Sequence, residues 1–256
     1  FFFEDNRKES FFKSLYTLIK LFNVKFDLII DLQNSQRTSL YNLFFRIFHS
    51  AKICSSRPFA HYRYIIPPQG TETATSGLFN QLSLIGIKNI NNQNYNWLKI
   101  EMKENFNKPL ALFIPGGSKK GEYKIWQPEK FAEIAKYYSK LGFIICVVGT
   151  YEDSNYVFPI LNACKKAVNK VDQSPPEVIY SLALQSSIII SNDTGPGHIA
   201  TLSKVNTLWL ALDNSVTKSN LSFKKNSHLV LKNKMEDLSV DEVKDYISKN
   251  KLLDKI

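Results

Sequence analysis

Polar and glycine residues are concentrated where one predicted strand turns into a helix. The apolar strand 187–190 is followed at once by 191–200, which reads SNDTGPGHIA. Two glycines permit a tight turn and a close approach of the backbone to a ligand. The Thr194 hydroxyl and the N–H groups of the following helix can hold a diphosphate, and Asp193 can bind sugar hydroxyls. The alternative is a helix cap with a structural His198, although this stretch contains more polar groups than a cap requires.

A second loop with phosphate-binding character follows the predicted strand 110–114 and reads PGGSKKGEYKIW from Pro115 onward. Its glycines expose backbone N–H groups, Ser118 adds a hydroxyl, and the lysines add positive charge. It is not a Walker A loop, because Glu122 and Tyr123 stand where that motif requires Lys and Ser or Thr. Taken alone, the loop is equally consistent with a lysine-rich surface turn.

A third loop, 149–153, follows the predicted strand 143–148 and contains Glu152 and Asp153. A carboxylate just past a strand can accept hydrogen bonds from both hydroxyls of a ribose. The same acids could instead complement the dipole of the next helix at its N-terminal end. Both interpretations stay open for this loop.

Strands and helices alternate regularly in the segment that carries these loops. The predicted strands are 110–114, 143–148, 187–190 and 207–212. Continuous apolar strands separated by helices indicate an α/β fold with a parallel sheet covered on both faces. Ligands of such sheets bind at the carboxyl ends of the strands, where all three loops begin. The sequence therefore predicts one ligand site formed by the three loops.

A chain of 256 residues is long enough for two domains. An Asn-rich stretch followed by a charged one predicts a domain boundary near residue 107. We expect the remainder of one domain at 1–107, a second domain at 108–235 and a C-terminal helix at 236–256.

Composition and charge argue against several classes of protein. Hydrophobic residues make up 44% of the chain, but the apolar runs are too short for a transmembrane helix, and we expect no signal peptide. Cys54, Cys146 and Cys164 are expected to be buried free thiols, and the four histidines lack metal-ligand spacing. The net charge of +10 comes without a nucleic-acid-binding motif, so we expect no nucleic-acid partner and no metal.

One basic segment contains no acidic residue between Leu32 and Thr71. Its cations include Arg57 and Arg63, and aromatic residues are interspersed among them. An anionic lipid or glycan would suit such a segment, and a solvated face is the alternative.

A dinucleotide-binding interpretation competes for the glycine motif. The stretch 195–200 fits G-x-G-x-x-A, and Asp213 ends the next predicted strand 18 residues after Gly195. However, the polar residues 191–194 separate the strand from the glycine, and the unit comes late in its domain. An NAD(P)-dependent oxidoreductase is therefore kept only as an alternative.

Together the three loops resemble those of the heptosyltransferase family, glycosyltransferase family 9. The resemblance rests on PGGS at 115–118 with KIWQPEKF at 124–131, on the loop 149–153, and on SNDTGPGH at 191–198. It implies the GT-B fold, with two Rossmann-like domains built on parallel sheets, the N-terminal one incomplete. It also implies an inverting sugar transfer from a nucleotide diphosphate, ADP-heptose above all, to a lipopolysaccharide core or related surface glycan. Such enzymes need no metal or other cofactor, and this chain contains no Asp-x-Asp.

The resemblance also implies roles for individual residues. Lys124 would contact the diphosphate or the sugar, and Ser118 would add a hydrogen bond to a phosphate. Glu152 or Asp153 would hold the ribose, and Asp193 would bind hydroxyls of the donor sugar. The diphosphate would lie on the turn formed by Thr194, Gly195, Gly197 and His198.

This sequence also departs from the family pattern. The catalytic Asp base of the family lies in a segment upstream of Phe1, so we expect an N-terminally truncated chain that binds a donor but transfers little. Asp31, at the end of a predicted strand, is a poor substitute for that base. A non-catalytic nucleotide-sugar-binding relative is a further alternative. We expect a cytoplasmic protein that can contact the inner face of the inner membrane.

Overall fold

The computed structural model describes residues 11–88, 94–117, 119–221 and 226–252. The chain divides into two compact units between Gln93 and Asn94. The boundary predicted near residue 107 falls inside the second unit instead, because the preceding segment packs there. Ile100 N–H donates to Ser181 Oγ at 3.0 Å, and Met102 lies against the core of the second unit.

The first unit is built on a parallel sheet with the order β1-β2-β3. Its elements are α1 Phe11–Phe22, β1 Leu28–Ile30, α2 Gln36–Phe48, β2 Lys52–Ser55, β3 Tyr62–Arg63 and α3 Ala74–Ser83. A small core of Leu18, Phe45 and Ile53 holds the helices on the sheet. Ser35 begins α2 with a capping box, in which its side chain accepts from Thr38 N–H.

The second unit contains a six-stranded parallel sheet. Its strands are β4 Leu110–Ile114, β5 Ile144–Gly149, β6 Val168–Val171, β7 Ile188–Asn192, β8 Thr207–Leu212 and β9 Ser227–Lys232. Its helices are α4 Pro128–Lys140, α5 Ser154–Ala163, α6 Pro176–Gln185, α7 Gly195–Ala200, α8 Ser215–Leu221 and α9 Val240–Lys249. The strands lie in the order β6-β5-β4-β7-β8-β9. This is a doubly wound arrangement, in which the strand order reverses direction between β4 and β7.

Helices cover both faces of this sheet, as the apolar strands predict. Phe113 of β4 faces a core shared with α4, α5 and α9, whereas Leu112 faces a core shared with α6. Val243 and Ile247 of α9 are fully buried in the first of these cores. The C-terminal helix predicted at 236–256 is observed as α9 and belongs to the second unit, and residues 253–256 lie outside the described residues.

Three further observations bear on the sequence predictions. The three cysteines are free and buried, and burial raises the pKa of the Cys146 thiol to about 12. No helix within the described ranges has both the length and the apolar composition to cross a bilayer. The same ranges contain no group of three His, Cys, Asp or Glu side chains that could hold a metal ion.

Candidate functional site

A cavity of 560 Å³ opens at the carboxyl ends of β4, β5 and β7. Its described lining residues lie in 114–117, 121–125, 148–156 and 192–196, which are parts of the three predicted loops and the strand ends before them. The reversal of strand order between β4 and β7 creates this crevice, since the loops on either side lead to opposite faces of the sheet. The predicted convergence of the loops on one site is thus observed within the second unit.

Asn192, the last residue of β7, joins the parts of this site. Its Nδ2 donates to the carbonyl of Pro115 at 2.8 Å, and its Oδ1 accepts from Trp126 N–H at 3.1 Å. The Trp126 indole is buried and donates to the carbonyl of Leu238 at 2.9 Å. Both ends of the loop 115–126 are therefore fixed to the sheet through one fully buried amide. Sequence reasoning missed Asn192, whose signal was a carboxamide directly after an apolar strand.

Lys124 reaches the cavity from a 3-10 segment, Lys119–Lys124. Its side chain is half-buried, and its Nζ lies 5.8 Å from the centre of the Tyr123 ring. Among the described residues that line the cavity, Lys124 supplies the positive charge. Ser118, predicted to bind a phosphate, lies outside the described residues.

The two acids of the third loop have different surroundings, although both line the cavity. Asp153 Oδ2 accepts from the N–H and the hydroxyl of Thr150, both at 2.8 Å. Its Oδ1 accepts from Gly117 N–H at 3.2 Å, which ties the third loop to the second. Glu152, by contrast, is exposed at the cavity. Because Glu152 is the more exposed of the two acids at the cavity, it is the better candidate for the ribose.

Asp193 and His198 form a pair beside the glycine turn. Asp193 Oδ1 lies 3.2 Å from His198 Nε2, and the His198 ring packs 5.1 Å from the Trp209 ring. Asp193 lines the cavity, whereas His198 is not among its lining residues. His198 is therefore placed to orient Asp193, while Thr194 and Gly195 of the same turn line the cavity.

The two glycines of the motif are not equivalent. Gly195 lines the cavity, and a Cβ built there would have no neighbour within 4 Å. A Cβ on Gly197 would lie 2.4 Å from Ser191 Oγ and 2.7 Å from a Trp209 ring carbon. Gly197 thus allows α7 to pack closely on the sheet and is not part of the cavity wall, contrary to its predicted role at the diphosphate. Thr194 caps α7, its Oγ1 accepting from Gly197 N–H at 3.4 Å.

Asp31, in the first unit, has a structural role. Its Oδ1 accepts from the N–H groups of Gln33 and Asn34 at 3.0 and 2.9 Å, and its Oδ2 accepts from Ser55 Oγ at 2.9 Å. These bonds hold the turn between β1 and α2.

The family model of glycosyltransferase family 9 (heptosyltransferase) matches residues 79–228, which is more than half of the chain. The chain belongs to glycosyltransferase family 9. No match was found among the curated proteins. Family membership identifies a glycosyltransferase and decides against the oxidoreductase alternative. Asp213, the acid which that alternative requires, pairs with Lys218 and is not among the residues that line the cavity.

Solved structures of this family share the fold. The family 9 glycosyl transferase from Veillonella parvula DSM 2008 has a TM-score of 0.73 at 19% identity, over 96% of this chain and 81% of that one. E. coli ADP-heptose lps heptosyltransferase II has a TM-score of 0.66 at 16% identity, over 94% and 80%. E. coli heptosyltransferase WaaC with ADP-2-deoxy-2-fluoro heptose has a TM-score of 0.70 at 14% identity, over 95% and 79%. The α/β, GT-B fold class predicted from sequence is thereby confirmed.

The contrast between Glu152 and Asp153 gives a first prediction. Glu152→Ala should weaken nucleotide binding with little change in melting temperature, because its carboxylate is exposed. Asp153→Ala should lower the free energy of unfolding by about 1 kcal/mol, because a capping interaction is lost. Calorimetric titration with ADP and thermal unfolding of both variants check this. Tighter ADP binding by Glu152→Ala than by Asp153→Ala would contradict the assignment.

The glycine pair gives a second prediction. Gly197→Ala should destabilise the chain by about 1–3 kcal/mol, because the added methyl group overlaps the buried Trp209 ring. Gly195→Ala should leave unfolding almost unchanged, since its Cβ would enter open space. Urea unfolding followed by circular dichroism compares the two. Equal losses of stability would show that the two positions do not differ as described.

Proposed function

We propose that this family 9 glycosyltransferase transfers a heptose from ADP-heptose to a lipopolysaccharide core or related surface glycan. The observation that carries the proposal is the cavity at the switch point of a family 9 chain, lined by loops that offer a lysine, carboxylates and glycine backbone. Two relatives support the choice of donor: one is named an ADP-heptose lps heptosyltransferase, and another holds ADP-2-deoxy-2-fluoro heptose.

The proposed donor lies across the three loops. Lys124 contacts the diphosphate, Glu152 accepts from the ribose hydroxyls, and Asp193 accepts from hydroxyls of the sugar. An acceptor hydroxyl gives its proton to a general base as its oxygen attacks the anomeric carbon from the face opposite the diphosphate, the bond from that carbon to the diphosphate oxygen breaks, and the configuration inverts. Negative charge develops on the departing diphosphate, and a positioned ammonium group stabilises it. In this proposal no metal ion takes part, which agrees with the lack of Asp-x-Asp in the sequence.

Carboxylates at a diphosphate site need an explanation, because like charges repel. Glu122, Asp153 and Asp193, three of the carboxylates that line the cavity, each have a polar partner within the protein. Glu122 accepts from Tyr156, Asp153 from Thr150, and Asp193 lies against His198. These contacts hold the three side chains in fixed directions, and in the proposed complex Asp193 keeps an oxygen for the sugar hydroxyls while Glu152 accepts from the ribose.

The donor site gives a third prediction. Lys124→Ala and Asp193→Ala should each weaken ADP-heptose binding by about 1.5–3 kcal/mol, the range for a hydrogen bond to a charged group. Lys234→Ala is the matched control, since that side chain is 72% exposed and is not among the residues that line the cavity. Calorimetric titration with ADP-heptose measures the change. Unchanged affinity in both folded variants would remove the donor site from this cavity.

Product formation separates transfer from binding alone. A lipid-core acceptor and ADP-heptose, incubated with the chain, should give little glycosylated product by mass spectrometry even where ADP-heptose binds, because transfer also requires the Asp base that the family resemblance implies and that is assigned to none of the described residues. Abundant product would contradict this expectation and show that the general base lies within the 256 residues. Titrations with ADP, UDP, GDP and CDP identify the nucleotide that the cavity prefers.

A membrane contact of the first unit completes the proposal, which places the enzyme at the cytoplasmic face of the inner membrane. Helix α2 lies in the acid-free segment, and its Leu40, Ile47 and Phe48 share one face at helical spacing. These side chains are 60–63% exposed. Arg57 is a weaker lipid-binding candidate than predicted, because its Nε donates to Ser39 Oγ at 2.9 Å, whereas Arg63 is exposed.

The exposed face of α2 gives a fourth prediction. Ile47→Ser with Phe48→Ser should weaken binding to vesicles of anionic phospholipid by about tenfold or more. The two apolar side chains that would be buried in the lipid are replaced by polar ones. Leu141→Ser is the control, since Leu141 is an exposed leucine of the second unit. Vesicle co-sedimentation at low and high salt measures binding. Equal binding of the double variant and the wild type would show that α2 remains in water.

A further inference from the structure

The position of Lys124 depends on a loop that is anchored at its two ends. Asn192 binds the carbonyl of Pro115 and the N–H of Trp126. Lys124 itself lies in the 3-10 segment Lys119–Lys124, whose helical geometry is broken at Gly121. Short 3-10 turns have poor hydrogen-bond geometry and hold a side chain weakly by themselves. A further contact is therefore needed to direct Lys124 into the cavity.

Tyr156 of α5 provides such a contact. Its hydroxyl donates to Glu122 Oε1 at 3.0 Å, and both residues line the cavity. Helix α5 is a rigid support, because Val157 and Ile160 are fully buried in the core. Burial and then the Glu122 carboxylate raise the pKa of Tyr156, so its hydroxyl keeps the proton that it donates at neutral pH.

Glu122 in turn determines the path of the chain at Lys124. The carbonyl of Glu122 accepts from Ile125 N–H at 3.0 Å, which closes a turn around Tyr123 and Lys124. Glu122 is thus fixed through its side chain to α5 and through its carbonyl to the far side of the turn. A change at either contact alters the direction in which Lys124 leaves the backbone.

We propose that Tyr156 is a positioning residue of the donor site: by holding Glu122, it fixes the turn that directs Lys124 toward the diphosphate. This inference rests on the proposed function, since it requires that Lys124 contact the donor. Tyr156 acts through Lys124 and makes no contact of its own with the nucleotide. The turn therefore depends on the hydrogen bond to Glu122, and the charge of Glu122 is dispensable.

The test is a set of ADP titrations on full-chain variants by calorimetry. Tyr156→Phe and Glu122→Ala should each weaken ADP binding by about threefold to tenfold, the effect of one net hydrogen bond. The double variant should bind no more weakly than either single variant, because both remove the same contact. Glu122→Gln, whose amide oxygen still accepts from Tyr156, should bind ADP like the wild type.

A second background separates positioning from direct contact. In a Lys124→Ala chain, adding Tyr156→Phe should change the Kd for ADP by less than about twofold, because the side chain that Tyr156 positions is gone. Thermal unfolding of each variant is recorded alongside. Should Tyr156→Phe fail to fold, the exposed Glu122 carries the same comparison through Glu122→Ala and Glu122→Gln.

Each contrary result has a distinct meaning. An equal weakening by Tyr156→Phe in both backgrounds would show direct contact with ADP and overturn the inference. An unchanged Kd for Tyr156→Phe, with Lys124→Ala clearly weakened, would overturn the inference and leave the donor site in place. An unchanged Kd for Lys124→Ala would overturn both the donor site and the role of Tyr156.

Discussion

The two hydrogen bonds of the Asn192 side chain are the constraint on which the site depends. They connect the end of β7 to both ends of the loop after β4, in a place with no access to solvent. A buried amide that loses its partners costs about 1–3 kcal/mol per group, so the loop cannot leave without that penalty. Lys124, Glu122 and the turn between them take their positions from this anchored frame.

The polar residues of the three loops fall into two groups. Some hold the loops in place, and others lie at the cavity where a ligand would bind. Asp153 connects the second and third loops through Gly117 and Thr150, and His198 lies between Asp193 and the Trp209 ring. Glu152 and Asp193 then present their carboxylates at the cavity. The adjacent acids Glu152 and Asp153 thus differ in role: Asp153 holds two loops together, and Glu152 lies at the cavity.

The sequence predicted what depends on local pattern. The strands β4, β5, β7 and β8 are apolar runs and were identified, whereas the edge strands β6 and β9 were missed because one side of each faces solvent and its sequence mixes polar and apolar residues. The three loops were identified from their composition. The roles of Gly197 and Asn192 could not be predicted from the sequence, because they depend on contacts with Trp209 and Pro115, which are distant in sequence.

The electrostatics of the cavity follow from geometry more than from a count of charges. In the proposed complex Lys124 meets the diphosphate in company with Glu122, Glu152, Asp153 and Asp193, so a sum of formal charges would argue against an anion. Yet a charge interacts strongly only where it lies close and the solvent is excluded. The carboxylates of Glu122 and Asp153 are turned toward donors on α5 and the adjoining loops. In the proposed complex the ammonium group of Lys124 is then the charge next to the diphosphate, and its position depends on how firmly the surrounding turn is held.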